Sequence, residues 1–523
     1  MNPKLAVVST VTVLLVVLTL VFGSYGYPPR GINDGAAYLV PAIQMAETGK
    51  LESSMLWTGD HAPHTGPYLA HMPLFPILVN FFVSPGSDTP PPSQAFFFIA
   101  IINAIVIVLS AWGLYLIGTM GGRKLDWSAS VGICIALFLV LRASSSFGGR
   151  DDTLTRLFFT IGFVLALKVK NSTHLAALLG VLLGAMTATS TFAQVFFTAL
   201  IGFVFAIKRE DKASLLSILE NADQAHTSDL THRMNIFSIG SWKSFKYVTI
   251  TIAVGIAAFV AIMQLSPFSI AETIKGLLNI ASVTAEGTVS FQRNTLAIFK
   301  SSYVMLYGAI GLVVAFLGMH MFLRAVKAKQ VASPLLVILS VATTLFYVAF
   351  LVINGFRMYY IATFLLLILA AFLYFITHVQ GAKLIKYSTI LLFAALVFVS
   401  SEHLALFPFF LKDGKTLPVA RAEFSAIMAE IPGSRISLGG PRMWALSESY
   451  DRMISGDLPP GSGKYIWLQE EEAFPDLSAK PPEYLGTCTL RNDFYTKKVP
   501  RLFGFELAPA TPGYGFAVFD CDR

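Results

Sequence analysis

Apolar residues in this chain come in long unbroken runs, not in the two- or three-residue rhythm of a soluble fold. Leu5–Phe22, Ser93–Gly122, Tyr303–Leu323, Pro334–Ile353 and Tyr359–Ile376 carry no charge and are the clearest of them. Each is near or above the roughly 20 residues a helix needs to cross a bilayer. Taken with weaker runs, the pattern predicts about eleven spans, near 5–23, 95–118, 127–143, 153–168, 174–188, 192–207, 247–265, 302–323, 334–353, 359–377 and 388–406. The first reads as an uncleaved anchor, because its apolar stretch is long for a signal peptide and no small-residue cleavage site follows.

The charges between the runs assign the sides. Lys4, Arg123 with Lys124, Lys168 with Lys170, Lys208 to Lys246, Arg324 to Lys329, and Lys383 with Lys386 all fall on one face if the N-terminus is inside. That face is the cytosolic one by the positive-inside rule. The same rule divides Leu175–Ile207 into two short helices, since Lys170 and Lys208 both require the inner side. Three segments are then outside: a first loop (24–94), a loop near 266–300, and a polar tail from 407.

The tail changes character. It is rich in proline, with β-like runs at Tyr465–Leu468 and Phe516–Phe519 and a helix-like Val419–Ile431. The expectation is an all-α polytopic membrane domain over 1–406 and a small α/β extracytoplasmic domain over 407–523. Composition agrees: of 523 residues 55% are hydrophobic and 13% charged, half the charge of a typical soluble domain. The net charge of +7 resides in the short inner clusters, so it gives no case for a nucleic-acid partner. Cys134 lies in an apolar run, whereas Cys488 and Cys521 share the tail and form a disulfide or stay free.

Candidate chemistry gathers in the outer loops. The first holds Gly31-Ile-Asn-Asp34-Gly-Ala-Ala-Tyr38, a helix-like Leu39–Thr48, Asp60-His61-Ala-Pro-His64, and Tyr68-Leu-Ala-His71-Met-Pro73-Leu. Asp34, near the membrane surface, suits a general base for an attacking hydroxyl and equally suits a helix N-cap. The turn before the fourth span reads Arg150-Asp151-Asp152-Thr-Leu-Thr-Arg156. Charges so close to the hydrocarbon edge are costly and either pair with one another or serve a site; the two aspartates can also cap the span. His61 and His64 with Asp60 leave a divalent metal open, though the spacing matches no recognised ligand frame. Asn171-Ser-Thr is a glycosylation sequon on the inner side, where it would be silent.

These elements together resemble the GT-C glycosyltransferases, in particular the aminoarabinose transferase-like and protein mannosyltransferase-like branches. In that family an Asp-Glu pair opens the first outer loop and a Lys-Pro-Pro-Leu-like element closes it. An Arg/Asp cluster heads the fourth span. Here Asp34-Gly35, Ala70-His71-Met72-Pro73-Leu74 and Arg150-Asp151-Asp152 stand at those places, and Arg357-Met-Tyr359-Tyr360 resembles a later basic-then-Tyr element. The missing Glu after Asp34 removes a carboxylate that could hold metal, and His71 replaces a fixed positive charge.

The resemblance implies an inverting transfer of a sugar from a polyprenyl-phosphate donor to a lipid, glycan or protein acceptor. Asp34, Asp151 and Asp152 would be catalytic. Arg30, His71, Arg150, Arg293 and Arg357 would face donor phosphate, with Lys300 a further outer cation, and Tyr38, His61, His64, Tyr68 and Tyr360 would line the substrates. Cations placed in advance stabilise a leaving phosphate, and arginine offers it paired donors. The layout fits a bacterial inner membrane with the site and tail facing the periplasm. The rival class is an envelope transporter or lipid flippase, which often shows related halves and broken helices at mid-membrane. No such symmetry is visible in this sequence.

Overall fold

The computed structural model describes residues 2–24, 35–57, 63–68, 71–144, 150–169, 171–190, 196–201, 203–204, 242–285, 358–378, 387, 390–391, 394, 416–431, 435–438, 443–446, 453–454, 464–470, 481, 483–494, 501–502, 505–506 and 514–522. The expected spans 302–323 and 334–353, and nearly all of 388–406, lie outside them. So do Arg30, Asp34, Asp60, His61, Arg293, Lys300 and Arg357.

Long helices dominate the described part. They are α1 (Pro3–Ser24), α2 (Gly35–Thr48), α3 (Leu74–Asn80), α4 (Pro91–Gly118), α5 (Trp127–Ser144), α6 (Asp152–Lys168), α7 (Ser172–Thr187), α8 (Trp242–Met263), α9 (Ile270–Ala285) and α10 (Met358–His378). Three described segments, Pro3–Ser24, Pro91–Gly118 and Lys246–Met263, are long and apolar enough to cross a membrane. The divided reading of 175–207 holds, because α7 ends at Thr187 and helix resumes at 196. Asn171 caps α7, its side chain accepting from the Thr173 and His174 amides.

α1, α4, α5, α6, α7 and α10 share one apolar core containing Leu15, Ile107, Leu137, Phe159, Phe163, Leu179 and Leu369. Small residues allow close approach where α7 meets α8: a Cβ added to Gly184 would lie 2.6 Å from the Gly255 carbonyl oxygen. Helix pairs in lipid depend on this kind of backbone proximity. At one end of the bundle Arg123 donates to the Thr377 carbonyl oxygen and the Lys168 ammonium lies 5.5 Å from the centre of the Trp112 ring. Those basic residues therefore share an end, as the charge rule requires. The heads of α6 and α10 are at the other.

Two expected loops carry more structure than the hydrophobic pattern indicates. The first outer loop contains α2, a hairpin of β1 (Glu52–Trp57) and β2 (Pro63–Pro67), and α3. The loop expected over 266–300 begins with α9. Its start is a capping box: the Ser269 amide donates to Glu272, and the Glu272 amide donates to the Ser269 hydroxyl. This reciprocal pairing satisfies two orphan helix donors.

The tail folds as α11 (Leu417–Glu430) with the strands β3 (Arg435–Leu438), β4 (Met453–Ile454), β5 (Lys464–Glu470), β6 (Thr487–Asp493), β7 (Arg501–Leu502), β8 (Phe505–Glu506) and β9 (Phe516–Asp522). Five of them form a mixed sheet in the order β4-β3-β5-β9-β6. β3 is parallel to β4 and β5, and β9 is antiparallel to β5 and β6. The open cysteine question resolves to a bridge, since Cys488 and Cys521 face each other across β6 and β9 and are bonded. The sheet is not a free appendage. Phe424, Trp444, Ile466 and Phe516 join Tyr38, Ile43, Phe75 and Phe96 in one core, with Trp444 and Phe96 rings 5.9 Å apart.

Candidate functional site

The N-terminal end of α6 is where the two loops meet. Arg150 and Asp151 precede the helix and Asp152 opens it, and all three are buried. The Arg150 Nε donates to Asp152 Oδ2 at 2.9 Å. Asp151 occupies the N-cap position but makes no side-chain capping bond, so the capping explanation for this pair does not hold. A turn further on, Arg156 donates to Asn103 of α4 at 3.4 Å. The hydroxyls of Thr153 and Thr155 are buried without hydrogen-bond partners among the described residues.

Three first-loop residues close over this cluster. Tyr38, in the first turns of α2, lies with its ring centre 5.5 Å from the Arg150 guanidinium carbon, a cation–π distance. Its hydroxyl is 3.4 Å from His71 Nδ1, and the two rings are 4.5 Å apart. Tyr68 follows β2 and lies 6.0 Å from the His71 ring. The Tyr68 hydroxyl is buried and has no hydrogen-bond partner among the described residues, where an unsatisfied hydroxyl costs about 1–3 kcal/mol. The loop is pinned in turn, the Leu74 amide donating to the Ala188 carbonyl oxygen at the end of α7.

The electrostatics follow from burial. Desolvation and then the neighbouring Asp152 charge push the Asp151 carboxyl well above the usual carboxylate range, against the pull of Arg150. Desolvation raises the Tyr68 phenol well above its ordinary value, and the Asp151 charge adds to it; Tyr68 and Asp151 are thus electrical neighbours. Burial pushes the His71 imidazole down to about 4. As placed, the ring is neutral at pH 7 because Tyr38 and Tyr68 enclose it, so it can hydrogen-bond but does not replace a fixed cation.

Of the residues expected from sequence, the structure brings Tyr38, Tyr68, His71, Arg150, Asp151 and Asp152 together. Asp34 directly precedes α2, while Arg30, His61, Arg293 and Arg357 also lie outside the described residues. The backbone of His64 is in β2 and that of Tyr360 is in the first turn of α10. Asn103, which holds Arg156, was not anticipated; a lone Asn inside the apolar run of α4 is the signal that marks it. Among the described residues no group of three His, Cys, Asp or Glu side chains is placed to hold a metal ion.

Fold and site together define a helical membrane protein with a buried polar cluster at the head of α6, covered by the loop that follows α1. No family model and no curated protein matches the sequence. Among solved structures it is similar to the Archaeoglobus fulgidus oligosaccharyltransferase in the apo form, at 11% identity and TM-score 0.42, over 87% of this chain and 64% of that one. The same enzyme in complex with Zn and sulfate gives 14% identity and TM-score 0.40, over 85% and 62%. ArnT from Cupriavidus metallidurans bound to undecaprenyl phosphate gives 11% identity and TM-score 0.31, over 97% of both chains. Both enzymes are GT-C glycosyltransferases, the superfamily that the loop motifs resemble. The chain spans less than two thirds of the archaeal enzyme's length. Likenesses this distant carry no functional argument, which rests on the chain's own residues.

Proposed function

We propose that this chain is a membrane glycosyltransferase that moves a sugar from a polyprenyl-phosphate donor to a lipid, glycan or protein acceptor outside the cytosol, with inversion. The observation that carries the reading is the meeting of two separate outer loops. Tyr38, Tyr68 and His71 of one close over Arg150, Asp151 and Asp152 of the other.

In this reading Asp34, at the entrance to α2, takes the proton from the acceptor hydroxyl or amine as it attacks the anomeric carbon. The bond to the carrier phosphate breaks on the opposite face, and the phosphate leaves with the bonding electrons. Asp152 orients the Arg150 guanidinium, which stabilises the growing negative charge. A cation set in advance in a dry site is worth far more than one in water. The Tyr68 hydroxyl and neutral His71 supply hydrogen bonds to the same region. Asp151, whose carboxyl burial holds well above the usual carboxylate range, is a second group able to exchange a proton with the acceptor.

Asp34→Asn tests the assignment. With purified protein in lipid nanodiscs and a polyprenyl-phosphate sugar, the variant should fold and insert normally. It should lose turnover on the order of 10²–10⁴-fold, as removal of a general base does. Near-normal turnover would remove Asp34 from the chemistry.

A further inference from the structure

Helix α9 lies outside the bundle core and carries an exposed apolar face. It follows α8 after the turn 264–269 and starts at the Ser269–Glu272 capping box. At 16 residues it is about 24 Å long, and Glu272 and Lys275 make it unfit to cross a bilayer. Thr273 turns inward and is buried. On another face Ile274 and Leu278, four residues apart, are 47% and 64% exposed, and Leu265 in the preceding turn is 56% exposed. Glu272 is exposed on the far side of the helix from them, and Lys275 is exposed on the flank between.

The apolar face follows a longer one. Along α8 the side chains of Val248, Ile252, Ile256 and Val260 recur every fourth residue and are exposed, on a segment apolar enough to span a membrane. That stripe reads as the lipid-facing side of α8, and Leu265 in the following turn carries exposed apolar surface on toward Ile274 and Leu278, with exposed Gln264 and Ser269 between them. A helix with exposed apolar and charged residues, joined to the end of a span by the turn 264–269, fits the boundary between headgroups and acyl chains.

We infer that α9 lies in the membrane surface, in the leaflet on the side of the candidate site, with Ile274, Leu278 and Leu265 dipped among the lipid chains and Glu272 and Lys275 toward water. The root of this helix is part of the site wall: Phe268 packs against the cluster of Leu51, Tyr68 and Ile77, and Ile270 against the core that holds Tyr38. A lipid contact on α9 therefore borders the Tyr68 side of the cluster. That places a bilayer-embedded carrier beside the site, a consequence that rests on the proposed transferase reading; the membrane contact itself does not.

Single cysteines at Leu265, Ile274, Lys275 and Leu278, in a Cys134→Ala background with the Cys488–Cys521 bridge retained, are spin-labelled in nanodiscs of zwitterionic and anionic phospholipid. Collisions with oxygen, which concentrates in lipid, should exceed those with a water-soluble nickel chelate by severalfold at Leu265, Ile274 and Leu278, and the ratio should invert at Lys275. Two results would overturn the inference. One is a chelate response at Ile274 and Leu278 equal to that at Lys275. The other is shielding of both from either reagent, as a covering protein segment or a second copy would produce, the copy showing as dipolar broadening between labels. These labels read the helix position whether or not Asp34→Asn abolishes transfer, so the two ideas fail separately.

Discussion

The same ion pair, arginine with carboxylate, appears at both ends of the molecule's range of environments. At the head of α6 the Arg150 and Asp152 side chains meet at 2.9 Å with 9% and 1% of their surface exposed. In the tail, Arg491 meets Glu430 at 2.6 Å and Asp520 at 3.4 Å, with Arg491 and Glu430 at 31% and 65% exposure. The shorter contact is the weaker one energetically. Exposed pairs contribute about 0–1 kcal/mol, whereas charges taken out of water cost several kcal/mol each before their attraction repays it. Distance therefore does not identify the pair with a task. Burial without apolar replacement does, because a hydrophobic pair would have been the cheaper solution for packing alone.

The sharpest way to break this contrast is Asp152→Ala. It leaves the Arg150 charge buried beside a lost partner, so stability should fall by about 3–5 kcal/mol, read as a lower midpoint of unfolding in detergent. A loss under about 1 kcal/mol would mean that water reaches the pair and that it resembles the Arg491 pair after all. Asp151→Asn should behave in the opposite sense. The Asp151 carboxyl is held above its ordinary range, so its ionisation opposes folding at every pH above the unfolded value near 4. Removing that carboxyl should leave stability at pH 7 unchanged or raised while transfer falls. A stability gain paired with an activity loss distinguishes a functional charge from a structural one. Lower stability in Asp151→Asn would assign the group to architecture instead.

Much of this was legible in the chain. The spans that became α1, α4, α5, α6, α7, α8 and α10 stand out because a helix in lipid must be apolar on nearly every side, so hydropathy alone marks it. The tail strands β5 and β9 were equally clear from their β-branched and aromatic residues. The hairpin 52–67 was not, since its sequence Glu-Ser-Ser-Met-Leu-Trp and Pro-His-Thr-Gly-Pro lacks alternation; its partner strand, not its pattern, makes it extended. α9 was announced by Ser269-Ile-Ala-Glu272, a local signal easily lost beside a strong hydropathy trace. In the site, sequence could name Arg150 to Asp152 as costly charges and Tyr38 and His71 as motif positions. It could not show that burial silences the His71 charge, because desolvation depends on which rings surround the imidazole.

That silencing gives a graded test. With its pKa lowered to about 4, His71 stays neutral in the folded protein while the unfolded chain takes up a proton below about 6.5. The depressed group contributes nothing unfavourable above pH 6.5. Between about 6.5 and 4 the unfolded state binds more protons, so stability falls as pH falls, by about 3 kcal/mol in total. Asp151 works in the other direction over acid pH, so the slope is best isolated by comparing the native protein with His71→Asn. The variant should lose the decline between pH 6.5 and 4 in chemical unfolding. Parallel curves for the two proteins would mean the ring is solvated and free to be a cation at neutral pH.

The smallest effect belongs to the exposed pair. Arg491→Ala removes contacts to both Glu430 of α11 and Asp520 of β9, and so tests whether a two-partner network ties the helix to the sheet more strongly than a single pair. The guanidinium and Glu430 keep their water, so each loses little when separated, and β6 remains fastened to β9 by the Cys488–Cys521 bridge and the strand ladder. The expected loss is about 1 kcal/mol or less, shrinking further at 1 M salt, where screening reaches within about 3 Å. Because the tail's core is continuous with the first loop through Trp444 and Phe96, a larger loss would appear not only in tail unfolding but also in transfer activity. A small stability loss in Arg491→Ala, set against the loss of about 3–5 kcal/mol expected for Asp152→Ala, would show that one ion-pair chemistry does different jobs according to the solvent it has given up.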